Sequence, residues 1–272
     1  MKKIIFISFV LLVTACQQAP QAQLIVYLEN EDGVESYKTR IIVTPKFIRF
    51  DEGDNSDAFL LFDRANKIAH SVNHEMKSTM VVEGKDAEVK APIELNHTVK
   101  IIDDIKDAPK LEGITPIHRQ HSTNKQVCFD VISADGLMPE AVTAMIEFHK
   151  VLATDSASTF EIMPADMLDP CAISMSTFVP TRHLRDGFPV QEWKPGYARS
   201  LVDYQANYKA DTSLFVLPDD YFTYTVQEFR EGRVDMMNQK VFSEQELEDE
   251  AKGVKPTNSD QAGNDKKRKI IN

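Results

Sequence analysis

From residue 24 to residue 133, short runs place apolar side chains at every second position, the period of a strand with one buried face. The clearest is "IELNHTVKI", where Ile93, Leu95, His97, Val99 and Ile101 share one face and Glu94, Asn96, Thr98 and Lys100 take the other. Tyr37, Ile41 and Val43 alternate in the same way with Lys38, Arg40 and Ile42. Polar breaks at "EDG" (31–33), "DEGDNSD" (51–57) and "NHE" (73–75) separate "FIRF", "AFLLF", "KIAHSV" and "STMVV". Turn residues at such regular intervals predict an antiparallel meander in one sheet, curved or partly closed.

The period then changes to that of a helix. In "MPEAVTAMIEFHKVLA", Ala141, Met145, Phe148 and Leu152 form an apolar stripe flanked by Val142 and Ile146. Pro139 stands in the first turn, where its missing N–H costs nothing. Glu140 near the start and His149 and Lys150 near the end suit the helix dipole. A second helix is expected at "DPCAISMSTF", with Asp169 as cap, Pro170 in first position and Pro180 ending it. Strand signals return at "FPVQEW", "YARSLVDYQANY", "SLFVL" and "YFTYTVQEF", with Pro218 between the last two. Beyond Arg230 apolar content falls away. "SEQELEDEAK" opens with a capping-box pattern, Ser243 and Glu246, and predicts a short solvated helix. From Gly253 onward the composition is that of a disordered tail.

Ahead of this body stand Lys2 and Lys3, then ten apolar residues from Ile4 to Val13. Ten helical residues span about 15 Å, roughly half a bilayer core, so the run fits a secretory signal and not a membrane span. "VTAC" resembles the bacterial lipobox, which makes Cys16 the first mature residue and the carrier of acyl chains. At about 0.8 kcal/mol per buried methylene, two or three such chains anchor a protein stably. An ordinary signal with an incidental cysteine is the plain alternative. Gln17, where an Asp would retain the protein at the inner membrane, matches sorting to the outer membrane. The chain thus divides into a signal peptide (1–15), a polar tether (16–23), a body (24–230) and a polar, largely disordered tail (231–272).

Charge and cysteine usage narrow the function. The net charge is −11, and removing the leader takes away two lysines more. So acidic a body is a poor partner for nucleic acid or for anionic lipid, apart from the anchor. Besides Cys16 the chain holds only Cys128 and Cys171. In an oxidising compartment such a pair reads as a disulfide, worth roughly 4 kcal/mol for a loop of that length; two buried thiols are the alternative. On "QVCFDVIS", strict alternation puts Cys128 with Gln126 and Asp130, on the more polar side. A bond to Cys171 then sets the second helix against that side or at a sheet edge.

No catalytic or metal set stands out. His70 and His74 are four apart and His118 and His121 three apart, spacings that converge on a metal only on helices. "HEMKS" starts like a zinc-protease signature, but Ser78 stands where the second histidine belongs. His70 and His97 read as hydrogen-bonded core histidines on apolar strand faces. Asp51, Glu52, Asp54 and Asp57 crowd a loop without the spacing of a calcium-binding hand. There is no nucleophile elbow and no phosphate-binding glycine loop. "KKRK" (266–269) and the sequon "NHT" (96–98) read as a solvated charge run and a strand segment.

Two stretches carry a family likeness. "RFDEGDNSDAFLLFDRANKIAHSVNHEMKSTMVV", with its acidic turn and a strand ending in Asp-Arg, resembles the strand meander of the LolA/LolB-like superfamily of bacterial envelope proteins. "GFPVQEW" followed by "LFVLPDDY" resembles the late strands of uncharacterised proteins related to it. The resemblance covers roughly residues 25 to 228. It implies a mainly β fold with a helical insert, a curved half-open antiparallel barrel whose mouth is closed by helices. It also implies a hydrophobic ligand in the concave face, as characterised members bind lipoproteins or other apolar molecules there. The chain departs from the carriers in its length, its polar tail and its cysteine pair, and no ligand residue carries over.

The expectation is an outer-membrane-anchored, periplasm-facing lipoprotein, not an enzyme, without cofactor or metal. It would bind an apolar ligand or acyl chain in the half-barrel. The alternative is a structural protein that engages another envelope protein through its acidic surface and tail. An enzyme comes third, to be revived by His70 and His97 meeting a carboxylate in a cleft.

Overall fold

A computed structural model describes residues 21–54, 56–84, 90–103, 105, 107–161 and 163–251. The expected signal peptide, Cys16 and "KKRK" lie outside the described residues. The strands are β1 (Gln21–Glu31), β2 (Tyr37–Val43), β3 (Phe47–Asp51), β4 (Ala58–Asp63), β5 (Ile68–Asn73), β6 (Ser78–Glu83), β7 (His97–Ile102), β8 (Ile117–Thr123) and β9 (Gln126–Ala134). Helices α1 (Pro139–Glu161) and α2 (Pro170–Ile173) follow, then β10 (Phe188–Lys194), β11 (Tyr197–Lys209) and β12 (Phe222–Thr225). The chain continues through α3 (Val226–Arg230), a small hairpin of β13 (Val234–Asp235) and β14 (Lys240–Val241), and α4 (Glu244–Ala251).

Twelve strands make one curved, unclosed sheet in the order β12-β6-β5-β4-β3-β2-β1-β11-β10-β9-β8-β7. Every pairing is antiparallel except β12 with β6. The meander from β2 to β6 falls where the polar breaks place it, and β1 begins at Gln21, inside the expected tether. On the concave face, Ile25, Tyr27, Ile41, Ile48 and Phe62 pack against Ala141, Ala144, Met145 and Phe148 of α1. Each such large side chain taken from water stabilises by about 1.5–3 kcal/mol. The middle of the concavity is therefore solid.

The convex face of β1–β5 is buried as well. Ala22, Leu24 and Ile42 lie under Tyr208, Ala210, Leu214 and Phe215, and Phe59, Leu61 and Val72 lie under Phe215, Leu217 and Tyr221. "SLFVL" is thus not a strand. Asp211 accepts from the Ser213 N–H at 2.9 Å and starts a single 3₁₀ turn, Thr212–Phe215, whose apolar residues strap the outside of the sheet. Burial on both faces explains why "AFLLF" shows no clean alternation.

Helix α1 runs eight residues past the expected Ala153, to Glu161. The Thr154 and Ser156 hydroxyls bond back to the Val151 and Leu152 carbonyls, at 2.8 and 3.1 Å, and so satisfy themselves within the helix. Helix α2 starts as read, with Asp169 accepting from the Ala172 N–H at 2.8 Å and Pro170 in first position. One turn of π-helix, Ser174–Phe178, follows and stops short of Pro180. The Ser243–Glu246 capping box forms at the start of α4, so residues 231–251 of the expected disordered tail hold a hairpin and a helix.

Two strand expectations are corrected. The most regular alternation, "IELNHTVKI", yields only β7, and Val99 and Ile101 are 52% and 64% exposed. Strand β7 ends the sheet, and among the described residues no element covers the face its apolar residues line. The side of Cys128 is the second correction. A β-bulge between His121 and Ser122 pairs those residues with Phe129 and Val127, leaving Cys128 without a residue opposite. Alternation breaks there, and Cys128 joins Phe129 and Val131 in one buried cluster. Cys128 and Cys171 are bonded, with an S–S distance of 2.09 Å, so the disulfide ties α2 to the covered side of β9.

Candidate functional site

The turn "FDRAN" opens the site. Asp63 accepts from the Ala65 and Asn66 N–H groups, both at 3.0 Å, which fixes the β4–β5 turn. Arg64 then reaches α1, where its guanidinium holds Glu147 through two bonds of 2.6 and 3.1 Å. Gly84, just beyond β6, donates to the Lys67 carbonyl at 3.0 Å. A Cβ on Gly84 would stand 3.0 Å from the Val151 side chain, so glycine lets the end of β6 approach the helix.

These contacts hold α1 against the β5–β6 end of the sheet but leave a gap beside its second half. The gap is a cavity of about 940 Å³. Its inner wall includes Val151, Ala153 and Ala157, all buried, and its far wall is Phe178, Val179 and Pro180. Basic side chains stand around it: Arg64, Lys67, Lys90, Lys150 and Arg185. Sequence reasoning missed this site because it joins a strand turn, a helix flank and an irregular segment more than a hundred residues apart. The one available signal was "FVPT", an apolar run ended by proline where no helix or strand continues.

A polar cluster occupies the concave face nearer the middle of the sheet, around β1, β11 and β10. Glu192 and Arg199 stand opposite one another on β10 and β11 and form a close salt bridge, their side chains 12% and 15% exposed. Burial would push the Glu192 carboxyl up, but Arg199 and then His183 hold it below the usual glutamate value. The Arg199 guanidinium lies 4.6 Å over the Tyr27 ring, and the Tyr27 hydroxyl donates to the Pro189 carbonyl at 2.6 Å. His183 Nε2 is 3.5 Å from Glu192, and the His149 ring meets His183 edge-on at 5.8 Å. Burial, then the His183 and Arg199 charges, push His149 down to about 3. His121 is fully buried, stacks on Phe129 at 4.5 Å and is likewise pushed down to about 3 by burial and then Arg182. Such histidines are neutral at pH 7, and the Glu192 charge is taken up by Arg199. None of Glu192, His149, His183 or His121 lines the cavity.

The residues singled out by sequence do not converge. His70, on β5, and His97, on β7, lie toward opposite ends of the sheet. His97 is not a core histidine: it is exposed, and its Nδ1 lies 3.2 Å from both Thr123 Oγ1 and Arg182 Nη1. His70 is half-buried, and burial lowers its pKa. His74 pairs with the Tyr221 hydroxyl at 2.8 Å, while His118 bonds Asp130 at 3.0 Å, facing away from His121. In the acidic loop, Asp51 is buried between Arg40 and Arg49, and Asp54 also binds Arg40. Arginines hold those two carboxylates, so the loop is not simply solvated. Among the described residues no group of three His, Cys, Asp or Glu side chains could hold a metal ion. No described helix is long and apolar enough to cross a membrane, which says nothing about crossing by strands.

No family model and no curated protein matches the chain. Among solved structures it is similar to one of PNGF-II, at 11% identity and a TM-score of 0.36, over 78% of this chain and 33% of that one. The chain thus spans a third of that neighbour's length, and no residue role transfers at that likeness.

Proposed function

We propose that this is a binding protein of the cell envelope that takes an apolar ligand, or one acyl chain, into the cavity beside α1. One observation carries the reading: a gap of about 940 Å³ with buried aliphatic residues on one wall and Phe178, Val179 and Pro180 on the other. Ligand pockets are of this size and lining. The LolA/LolB-like resemblance supports the same reading, with the difference that α1 fills the middle of the concavity and moves the space to its flank. The leader and Cys16 support an outer-membrane anchor facing the periplasm.

The described residues, which begin at Gln21, hold the twelve-stranded sheet, the helical cover and the disulfide, so a chain of residues 17–272 contains every element described. Purified in that form, it should show one bound apolar molecule by native mass spectrometry and release it into organic solvent. Ala157→Phe, which fills the cavity from the helix side, should cut occupancy at least tenfold with helicity retained. A wild-type chain that takes up no apolar molecule would end the reading. For the address, the full chain should label with palmitate in cells and lose the label on Cys16→Ala.

The bare edge of β7, with Val99 and Ile101 exposed, favours a second reading, engagement of another envelope protein by strand addition. In-cell crosslinks that vanish on Val99→Lys would support it.

A further inference from the structure

The charges around the cavity run against those of the chain. The protein carries 31 Lys and Arg against 42 Asp and Glu. Of the described residues that line the cavity, five are cations and one, Glu147, is an anion; Arg64 binds that carboxylate through two bonds, and Lys67 has a partner of its own. Among the described residues, neither Lys150 nor Arg185 forms an ion pair, and both are exposed. Lys150 precedes Val151 on the inner wall, and Arg185 lies shortly after Pro180 on the far wall. Cations thus stand at the solvent side of both walls, while Ala153, Ala157 and Phe178 line the space behind them.

Lys150 and Arg185 are the two of these cations whose charge one negative group placed between them would compensate. A small anion would leave the apolar walls wet, and a neutral apolar molecule would leave Lys150 and Arg185 uncompensated. Only a molecule with both parts answers both demands. We infer that the ligand is an anionic amphiphile, its single acyl chain against Ala157 and Phe178 and its carboxylate or phosphate held by Lys150 and Arg185. The inference rests on the proposed apolar site and names the ligand class it takes.

The test titrates the 17–272 chain with dodecanoate, dodecyl phosphate and 1-dodecanol by calorimetry, with acetate and inorganic phosphate as competitors. The two anionic amphiphiles should bind at least tenfold more tightly than the alcohol, as expected for one or two charge-assisted hydrogen bonds. That preference should shrink in high salt. Lys150→Glu/Arg185→Glu, two exposed positions, should abolish it while leaving dodecanol affinity within about threefold. Acetate and phosphate should not displace dodecanoate at equal concentration; if they do, the site is one for small anions and the amphiphile is wrong. Equal binding of dodecanoate and dodecanol overturns the anionic head but spares the apolar site. Failure of every amphiphile overturns both. Should the double variant not fold, the alcohol comparison and the salt series still decide.

Discussion

Arg199 keeps its charge on the inner wall of the sheet, between Glu192 and the Tyr27 ring. A buried pair of this kind adds little net stability, because desolvation offsets most of the attraction. Removing one partner is another matter, since the survivor stays buried without a counter-charge. Arg199→Met should cost about 3 kcal/mol in urea unfolding, and Glu192→Leu/Arg199→Met should recover most of it. Equal losses in the single and double variants would show that the two side chains do not act as a pair. Nothing in local sequence announces this cluster. Glu192 and Arg199 alternate like ordinary strand residues, and His121, His149 and His183 come from a strand, a helix and a 3₁₀ turn. Strand register sets Glu192 opposite Arg199, and tertiary packing brings the histidines to them. Gly187 is a residue whose reason is equally tertiary. Its φ is +110°, and a Cβ there would fall 2.7 Å from the Ala134 carbonyl oxygen, so the turn into β10 needs glycine twice over.

At the scale of elements, the disulfide fastens the least regular part of the cover. It joins residues 43 apart, and closing a loop of that length stabilises by about 4 kcal/mol in the chain-entropy model. Cys171→Ala should therefore lower unfolding stability by up to that amount. It should also speed amide exchange in residues 165–186 ahead of the β2–β6 meander; uniform acceleration across the chain would mean that the bond does not act locally. The meander and the start of α1 were legible because turn residues and a 3.6 period write them locally. The end of α1 was not, since beyond Ala153 the apolar stripe gives way to polar residues such as Thr154 and Ser156, whose hydroxyls are satisfied within the helix. The worst misreading followed the best pattern: "IELNHTVKI" alternates well, but alternation reports a strand with two unlike faces and cannot report whether anything covers the apolar one. Burial on both sides hid the opposite case in "AFLLF".

For the molecule as a whole, buried neutral histidines add to the response to acid. His121 and His149 have folded-state pKa values of about 3, below the usual 6.5. Between those values the unfolded chain binds protons that the folded one refuses, so stability is complete above about pH 6.5 and falls as pH drops toward 3. At pH 5 the loss is on the order of 2 kcal/mol for each site. Thermal unfolding should occur at lower temperature at pH 5 than at pH 7.5, and His149→Gln should reduce the difference; a flat profile would mean that the histidines are wetter than their surroundings indicate. The overall architecture, one large unclosed sheet with a helical insert, could be anticipated from the order of patterns. The strap over the convex face could not, because residues 210–221 look like one more hairpin. The return of β12 beside β6 has a further outcome. It caps one flank of the sheet with a parallel segment of only four residues, whereas among the described residues β7 leaves the opposite flank bare. Two copies could zip together through β7, but neither would then offer a long free border to a third. Self-association through the described edge of β7 would stop at a pair.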